Sequence, residues 1–245
     1  MIDKILTIDL EYDFESKEDK SLKVIVPKLL DYFSENNITA TFFVIGEIAE
    51  KYPKLVKKIS KSHEVASHGY DHSYINENSL DYQLRKSKLA IEKLGIKCKG
   101  FRAPYFMYPN TLYKSLKENG YKYDSSISSF FPGRYNNLLV NTKPHWRNGI
   151  IELPMSNFVG KFLSSGLPYY RLFYPASKLF KLPYMFYLHP CEFLSKRPHN
   201  QINWLVKKLY SRNQGKKAWK MFTSMVENSN ANWISCDEFI KKWII

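Results

Sequence analysis

The chain has 245 residues, 44% of them hydrophobic and 16% aromatic, which is enough apolar surface for one sizeable core and rules out a disordered or low-complexity protein. Its formal net charge of +14 is spread along helical segments such as KYPKLVKKISK and RKSKLAIEKLGIKCK. With no nucleic-acid motif beside it, that charge reads as solvated helix faces that favour anionic partners, and it argues against dedicated nucleic-acid binding.

The opening MIDKILTIDLEYDF carries acids within three residues of the start and has no apolar h-region, so no secretory signal is expected. Ile5 to Glu11 reads as a buried first strand whose exit carries carboxylates. A helix follows from about Leu22 to Asn36, with Leu22, Val26, Leu29, Leu30 and Phe33 at helical spacing. The strand TATFFVI stops at Gly46, a lysine-rich helix around Leu55 to Lys61 leads to the strand HEVAS, and the stretch SHGYDH comes next. Strand, helix, strand, helix is the rhythm of a parallel α/β fold.

The pattern continues with a helix from about Ser79 to Leu94, the short strand GFR, a helix near Asn110 to Asn119 and the strand YKYDSSI. Residues 128–183 lose regularity and read as loop elaboration over one end of the fold, with IIELPM as their one clear strand. MFYLH is a late strand. Helices near Asn203 to Tyr210 and Ala218 to Asn228, the strand ANWIS and the amphipathic tail DEFIKKW complete the chain. No internal repeat or linker divides it, so residues 1–245 are read as one domain.

Cys98, Cys191 and Cys236 are odd in number and widely spaced, which fits neither a disulfide framework nor a zinc ribbon and suits a reducing compartment. No uncharged apolar run reaches about 18 residues, so no membrane span is expected. The expected location is cytoplasmic, with peripheral contact to an anionic membrane face allowed by the basic surface.

Asp9, Glu11, His68, His72, Arg102, Asp124 and His189 all fall at predicted strand ends, the face that binds ligands in parallel α/β folds. Histidines at i and i+4 lie on one side of a helical turn and can approach one ion; with a carboxylate as third ligand, a divalent ion keeps positions open for water and substrate. Asp9 and Glu11 are two apart, so on an extended strand they share a side. Neighbouring carboxylates repel unless a cation or a proton intervenes, which suggests one binds metal and the other accepts a proton.

The ordered set TIDLEYDF, SHGYDH, FRAPYF, YDSSI and FYLHP resembles the motif series of the polysaccharide deacetylases, the NodB-homology group also called carbohydrate esterase family 4. It is similar above all to the branch whose first motif reads D-x-E. The resemblance implies a distorted (β/α) barrel of about seven parallel strands and the removal of an N-acetyl or other small N-acyl group from an amino sugar. It implies Asp9 as general base, Glu11, His68 and His72 as ligands, and Arg102 as the residue that holds the base. Tyr105 takes the position whose backbone N–H helps form the oxyanion hole, His189 matches the general acid, and Leu188 stands beside it as a wall of the acetyl pocket. The family's aspartate partner for that histidine maps to Asp124, with Glu152 and Asp71 as alternatives.

A His-His-carboxylate set suits zinc, and cobalt, nickel or manganese could occupy it. The implied partner is an amino-sugar glycan or a lipid- or nucleotide-linked precursor. Competing readings are a hydrolase of another C–N bond, such as a cyclic amide or formamide, and a catalytically silent glycan-binding homologue. His63, His145 and His199 carry no implied role, and Tyr70, Tyr74, Tyr105, Tyr108 and Trp146 are candidates for stacking on sugar rings.

Overall fold

The computed structural model describes residues 1–13, 17–131, 135–195 and 211–243. In chain order its strands are β1 (Ile2–Leu10), β2 (Thr41–Val44), β3 (Glu64–Ser67), β4 (Gly100–Phe101), β5 (Tyr123–Asp124), β6 (Phe130–Phe131), β7 (Tyr135–Asn136), β8 (His145–Arg147), β9 (Ile150–Glu152), β10 (Asn157–Val159), β11 (Leu163–Ser164), β12 (Met185–Leu188) and β13 (Ala231–Ile234). The main sheet runs β12-β1-β2-β3-β4-β5-β9-β8, parallel from β12 to β9, with β8 antiparallel at the edge. β13 pairs in parallel with the first half of β1. The sheet is curled into a half-barrel, as the expected distorted barrel requires.

Strand β1 shows why the sheet has two apolar faces. Leu6, Ile8 and Leu10 point outward into the large cluster under the helices, while Ile5 points inward beside Phe43, Ala66, Tyr123, Met185 and Tyr187. Both phases are buried, so the strand reads as a continuous apolar run rather than an alternating one. The helix Val26–Glu35 covers the outer face with Val26, Leu29, Leu30 and Phe33, the predicted i, i+3, i+4, i+7 stripe. Burial of a side chain such as Phe33 contributes about 1.5–3 kcal/mol.

The two ends of the half-barrel differ. At the end where strands begin, the helix Cys236–Trp243 turns Cys236 and Ile240 into the interior and plugs it. Side chains and loop amides bridge the gap between β9 and β12. Met185 N–H donates to Ser156 Oγ at 3.1 Å and Tyr187 N–H to the Ser165 carbonyl at 3.1 Å. Gly100 is required here, because a Cβ on it would lie 1.9 Å from the Tyr123 ring that fills the interior. The open end, where strands finish, holds the polar residues.

Two expectations change. The helix read around Leu55 begins earlier, as two short helices, Gly46–Lys51 and Pro53–Ile59, broken at the proline because Pro53 lacks the N–H that would continue the first. Residues 128–183 are more ordered than loop elaboration implies: they carry β6 to β11 and the helix Leu167–Leu172. Their strands are two or three residues long, too short for a periodicity to register. The helix read near Asn203 to Tyr210 lies outside the described residues. No helix among the described residues is long and apolar enough to cross a membrane.

Candidate metal centre and active site

The inward phase of the strands delivers the site. On β1 it is shared by Ile5, Thr7 and Asp9, and Glu11 follows just past the strand's end. Arg102 leaves β4 fully buried, its guanidinium 4.1 Å from the centroid of the inward Phe43 ring. Its Nη1 donates to Asp9 Oδ1 at 2.6 Å and to Thr7 Oγ1 at 2.9 Å, and its Nη2 to Ser125 Oγ at 3.0 Å. Burial alone would raise the Asp9 carboxyl, but the charge of Arg102, joined by His68 and His189, holds it below the usual carboxylate range.

Glu11, His68 and His72 each present one ligand atom, and the three atoms lie within 4.8 Å of one another. The set fits a divalent ion on its own chemistry. His68 Nδ1 lies 2.8 Å from the Arg102 carbonyl, so it carries the hydrogen and leaves the Nε2 lone pair for a ligand. Burial pushes the His68 imidazole down to about 4, keeping it neutral as a ligand must be. Glu11 is held well below the ordinary carboxyl range: burial opposes ionisation, and His72, His189 and His68 outweigh it. Its Oε2 contacts His72 Nε2 directly.

The two histidines do not share a helical turn, as their spacing suggests. Residues 68–72 form an irregular loop in which Gly69 has φ 72° and His72 φ 62°. A left-handed φ at His72 is costly for a residue with a Cβ and must be imposed by its surroundings. Tyr105 is also left-handed, at φ 59°, and its ring centroid lies 4.6 Å from that of His72 and 4.3 Å from that of the exposed Tyr74.

His189 follows β12, with Nε2 3.8 Å from Glu11 Oε1 and 3.9 Å from Asp9 Oδ2. Its other ring nitrogen, Nδ1, is 3.3 Å from Glu192 Oε1, which also accepts the His189 backbone N–H at 3.0 Å. Glu192 Oε2 is gripped in turn by Arg171, whose Nε and Nη2 lie at 2.9 and 2.8 Å. Burial works against a charged His189, but Glu192, Glu11 and Asp9 together raise its pKa above the ordinary histidine value. Arg171 likewise keeps the buried Glu192 ionised.

Two expected residues are therefore corrected. Asp124 does not approach His189 as its supporting carboxylate; Glu192 stands there, and neither alternative, Glu152 or Asp71, replaces it. The reason is strand phase: Tyr123 takes the inward direction on β5, so Asp124 points to the helix layer, where it accepts from Ser126 Oγ at 2.6 Å and Ser126 N–H at 3.1 Å. Asp71 is exposed and bonded to Gln83 and Ser73. Leu188 is the second correction. It packs in the outer cluster, while Tyr187 takes the inward phase, its ring centroid 5.6 Å from that of His189.

Asp124 meets Glu152 instead, its register partner on β9. Both are fully buried; burial raises both, with a hydrogen bond from Glu152 pulling Asp124 back, and the Asp124 charge adds to the rise at Glu152, which stands well above the ordinary range. Both directions favour a proton on the pair, shared between the two carboxyls. A carboxyl raised in the folded state lends stability in acid that is lost as pH climbs from its unfolded value, near 4.3, towards its folded one. Glu152→Gln, which makes the protonated state permanent, is expected to melt like the parent near pH 4 and to be about 1–3 kcal/mol more stable at pH 8. Thermal denaturation across that range measures it; equal slopes for both proteins would refute the shared proton.

Comparison with known proteins accords with this geometry. Residues 5–123 match the family model described as polysaccharide deacetylase. A peptidoglycan-N-acetylglucosamine deacetylase of Bacillus cereus is 38% identical over 84 residues, 32% of this chain and 30% of that protein. A peptidoglycan deacetylase of Helicobacter pylori is 30% identical over 110 residues, 43% and 38% of the two chains. The matches thus span less than half the length of these relatives. A solved structure from Mycobacterium smegmatis, of a candidate polysaccharide deacetylase, superposes with a TM-score of 0.60 at 20% identity, covering 98% of this chain and 90% of that one. The family match reaches from the first motif to β5, so over residues 5–123 the chain is similar to the polysaccharide deacetylases, and the superposition shows the same fold continuing beyond that stretch.

Proposed function

We propose that the chain removes an N-acetyl group from an amino sugar within a glycan, using Asp9 as base, His189 as acid and a divalent cation held by Glu11, His68 and His72. The observation that carries this reading is the cluster of those three ligand atoms within 4.8 Å, flanked by Asp9 and by His189 Nε2 at 3.8 Å from Glu11. The names of the curated relatives point to N-acetylglucosamine-containing peptidoglycan as the substrate class. A divalent ion in this site would supply Lewis-acid polarisation of the acyl carbonyl and acidification of the attacking water.

The chain's own groups divide the proton work. Asp9, kept ionised and aimed by Arg102, takes the proton of the water whose oxygen bonds to the acyl carbon. His189, whose charged form Glu192 favours, delivers a proton to the amide nitrogen as the C–N bond breaks, so acetate and a free amine leave. Tyr105, in the position of the oxyanion-hole residue, contributes its backbone N–H to the developing oxyanion. Zinc is the preferred ion for such a ligand set, with cobalt, nickel or manganese as substitutes.

Acetate release from N-acetylglucosamine oligomers and peptidoglycan fragments, with and without chelator, tests the proposal. The expected result is release that a chelator abolishes and zinc or cobalt restores. Release of ammonia or an acid from small ureides or formamides, with none from the glycans, would move the reading to another C–N bond.

A further inference from the structure

We propose that Gln83 is a positioning residue for the ligand pair His68 and His72, clamping the loop between them into its left-handed path through a hydrogen-bond set that makes the site ready for a divalent cation. The proposal rests on the reading of Glu11, His68 and His72 as a metal centre. Gln83 lies in the first turn of the helix Leu80–Glu92, is 2% exposed, and spends its side chain on the loop. Its Oε1 accepts the Tyr70 N–H at 2.6 Å, and its Nε2 donates to Asp71 Oδ1 at 2.7 Å and to Ser73 Oγ at 3.0 Å. The amide can take only this orientation, because a flip would set N–H against N–H and oxygen against carboxylate.

The rest of the loop is pinned from the other side. Gly46 and Glu47 N–H donate to the carbonyls of Gly69 and Tyr70, both at 2.9 Å, and the Gly69 N–H reaches Ser67 Oγ at 3.3 Å. Ser73 N–H closes a turn onto Asp71 Oδ1 at 3.0 Å. Among the described residues, Gln83 is therefore the one side chain that ties the residue before Asp71 to Asp71 and Ser73 on either side of the path into His72. A Cβ at Gly69 would meet Gln83 Oε1 at 3.2 Å and Pro104 at 3.3 Å, so Gln83 also shapes the turn just after His68. An outer residue that fixes ligand direction commonly changes metal affinity about 10- to 100-fold when lost.

The test measures Co2+ and Zn2+ affinity of the full chain by competition with a chromophoric chelator, with melting curves to confirm folding. Gln83→Leu and Gln83→Glu are each expected to weaken binding about 10- to 100-fold, the second because it sets a carboxylate against Asp71. In Gln83→Glu with Asp71→Asn the hydrogen-bond polarity is exchanged: the new carboxylate accepts both from Tyr70 N–H and from the new amide, and affinity should return to within about threefold of the parent. Parental affinity in Gln83→Leu, or no recovery in the double variant, overturns the proposal. Failure of the unsubstituted chain to bind either ion overturns both the metal centre and this inference, whereas Co2+ binding without acetate release would count against the deacetylase reading alone.

Discussion

Asp9→Asn is expected to lower acetate release about 10²- to 10⁴-fold, the usual worth of a positioned general base, with little change in KM. The amide can still accept from Arg102 Nη1, which now bonds Asp9 Oδ1 at 2.6 Å, so the shape of the site survives while its ability to take a proton is lost. Stability should fall as well. Arg102 has no exposed surface, and removing its counter-charge leaves a buried cation, a change that costs about 3–5 kcal/mol. Asp9 is held below its unfolded pKa, so its contribution is present above about pH 4 and disappears as pH falls through the folded value. The difference in melting point between parent and variant should therefore be full at pH 7 and shrink in acid. Unchanged turnover at neutral pH would remove Asp9 from the base role whatever the melting data show.

The second large effect concerns Arg171 and Glu192. Both side chains are fully buried, bonded at 2.8 and 2.9 Å. Arg171→Met is expected to destabilise by about 3–5 kcal/mol because the buried Glu192 carboxylate loses the cation bonded to its Oε2, a fall of roughly 10 °C in melting point for a chain of this size. Adding Glu192→Gln should recover most of that loss. It should not recover turnover, because His189 Nδ1 then faces a neutral acceptor and its charged form is less favoured. Recovery of stability with kcat still depressed and KM near the parental value would separate a positioning role from mere packing. A double variant as active as the parent would show that His189 does not depend on Glu192.

Much of the site was legible before any fold was known. Asp9, Glu11, His68, Arg102 and His189 each follow an apolar strand-like run, and strand ends are where a parallel sheet collects ligands. The errors have a common cause. The resemblance carries Asp124 and Leu188 into the site, whereas strand phase decides which of two neighbouring side chains enters the half-barrel. In MFYLH, a count of two back from an inward His189 lands on Tyr187, so that signal was available. Glu192 also left a trace. Proline at the first helical position and glutamate at the third after His189 are the marks of a helix start, and the structure has that box, with Glu192 accepting the His189 N–H. Gln83 left none, since its role comes from the packing of the helix Leu80–Glu92 against a loop that ends eleven residues earlier.

The order of apolar runs, turn residues and strand-end acids and histidines was enough to determine a parallel α/β fold and the residue types of the site, because backbone periodicity and the burial of apolar side chains are local consequences of the sequence. Tertiary structure selected which carboxylate supports His189 and which residue beside it faces inward from the options the sequence offered, and it alone decided how the His68 to His72 loop is held. Those outcomes depend on the curl of the sheet and the docking of helices. They bring residues such as Arg171 and Glu192, twenty-one apart in the chain, to within hydrogen-bond distance, where Coulomb and desolvation terms large enough to set protonation states act only between groups in contact.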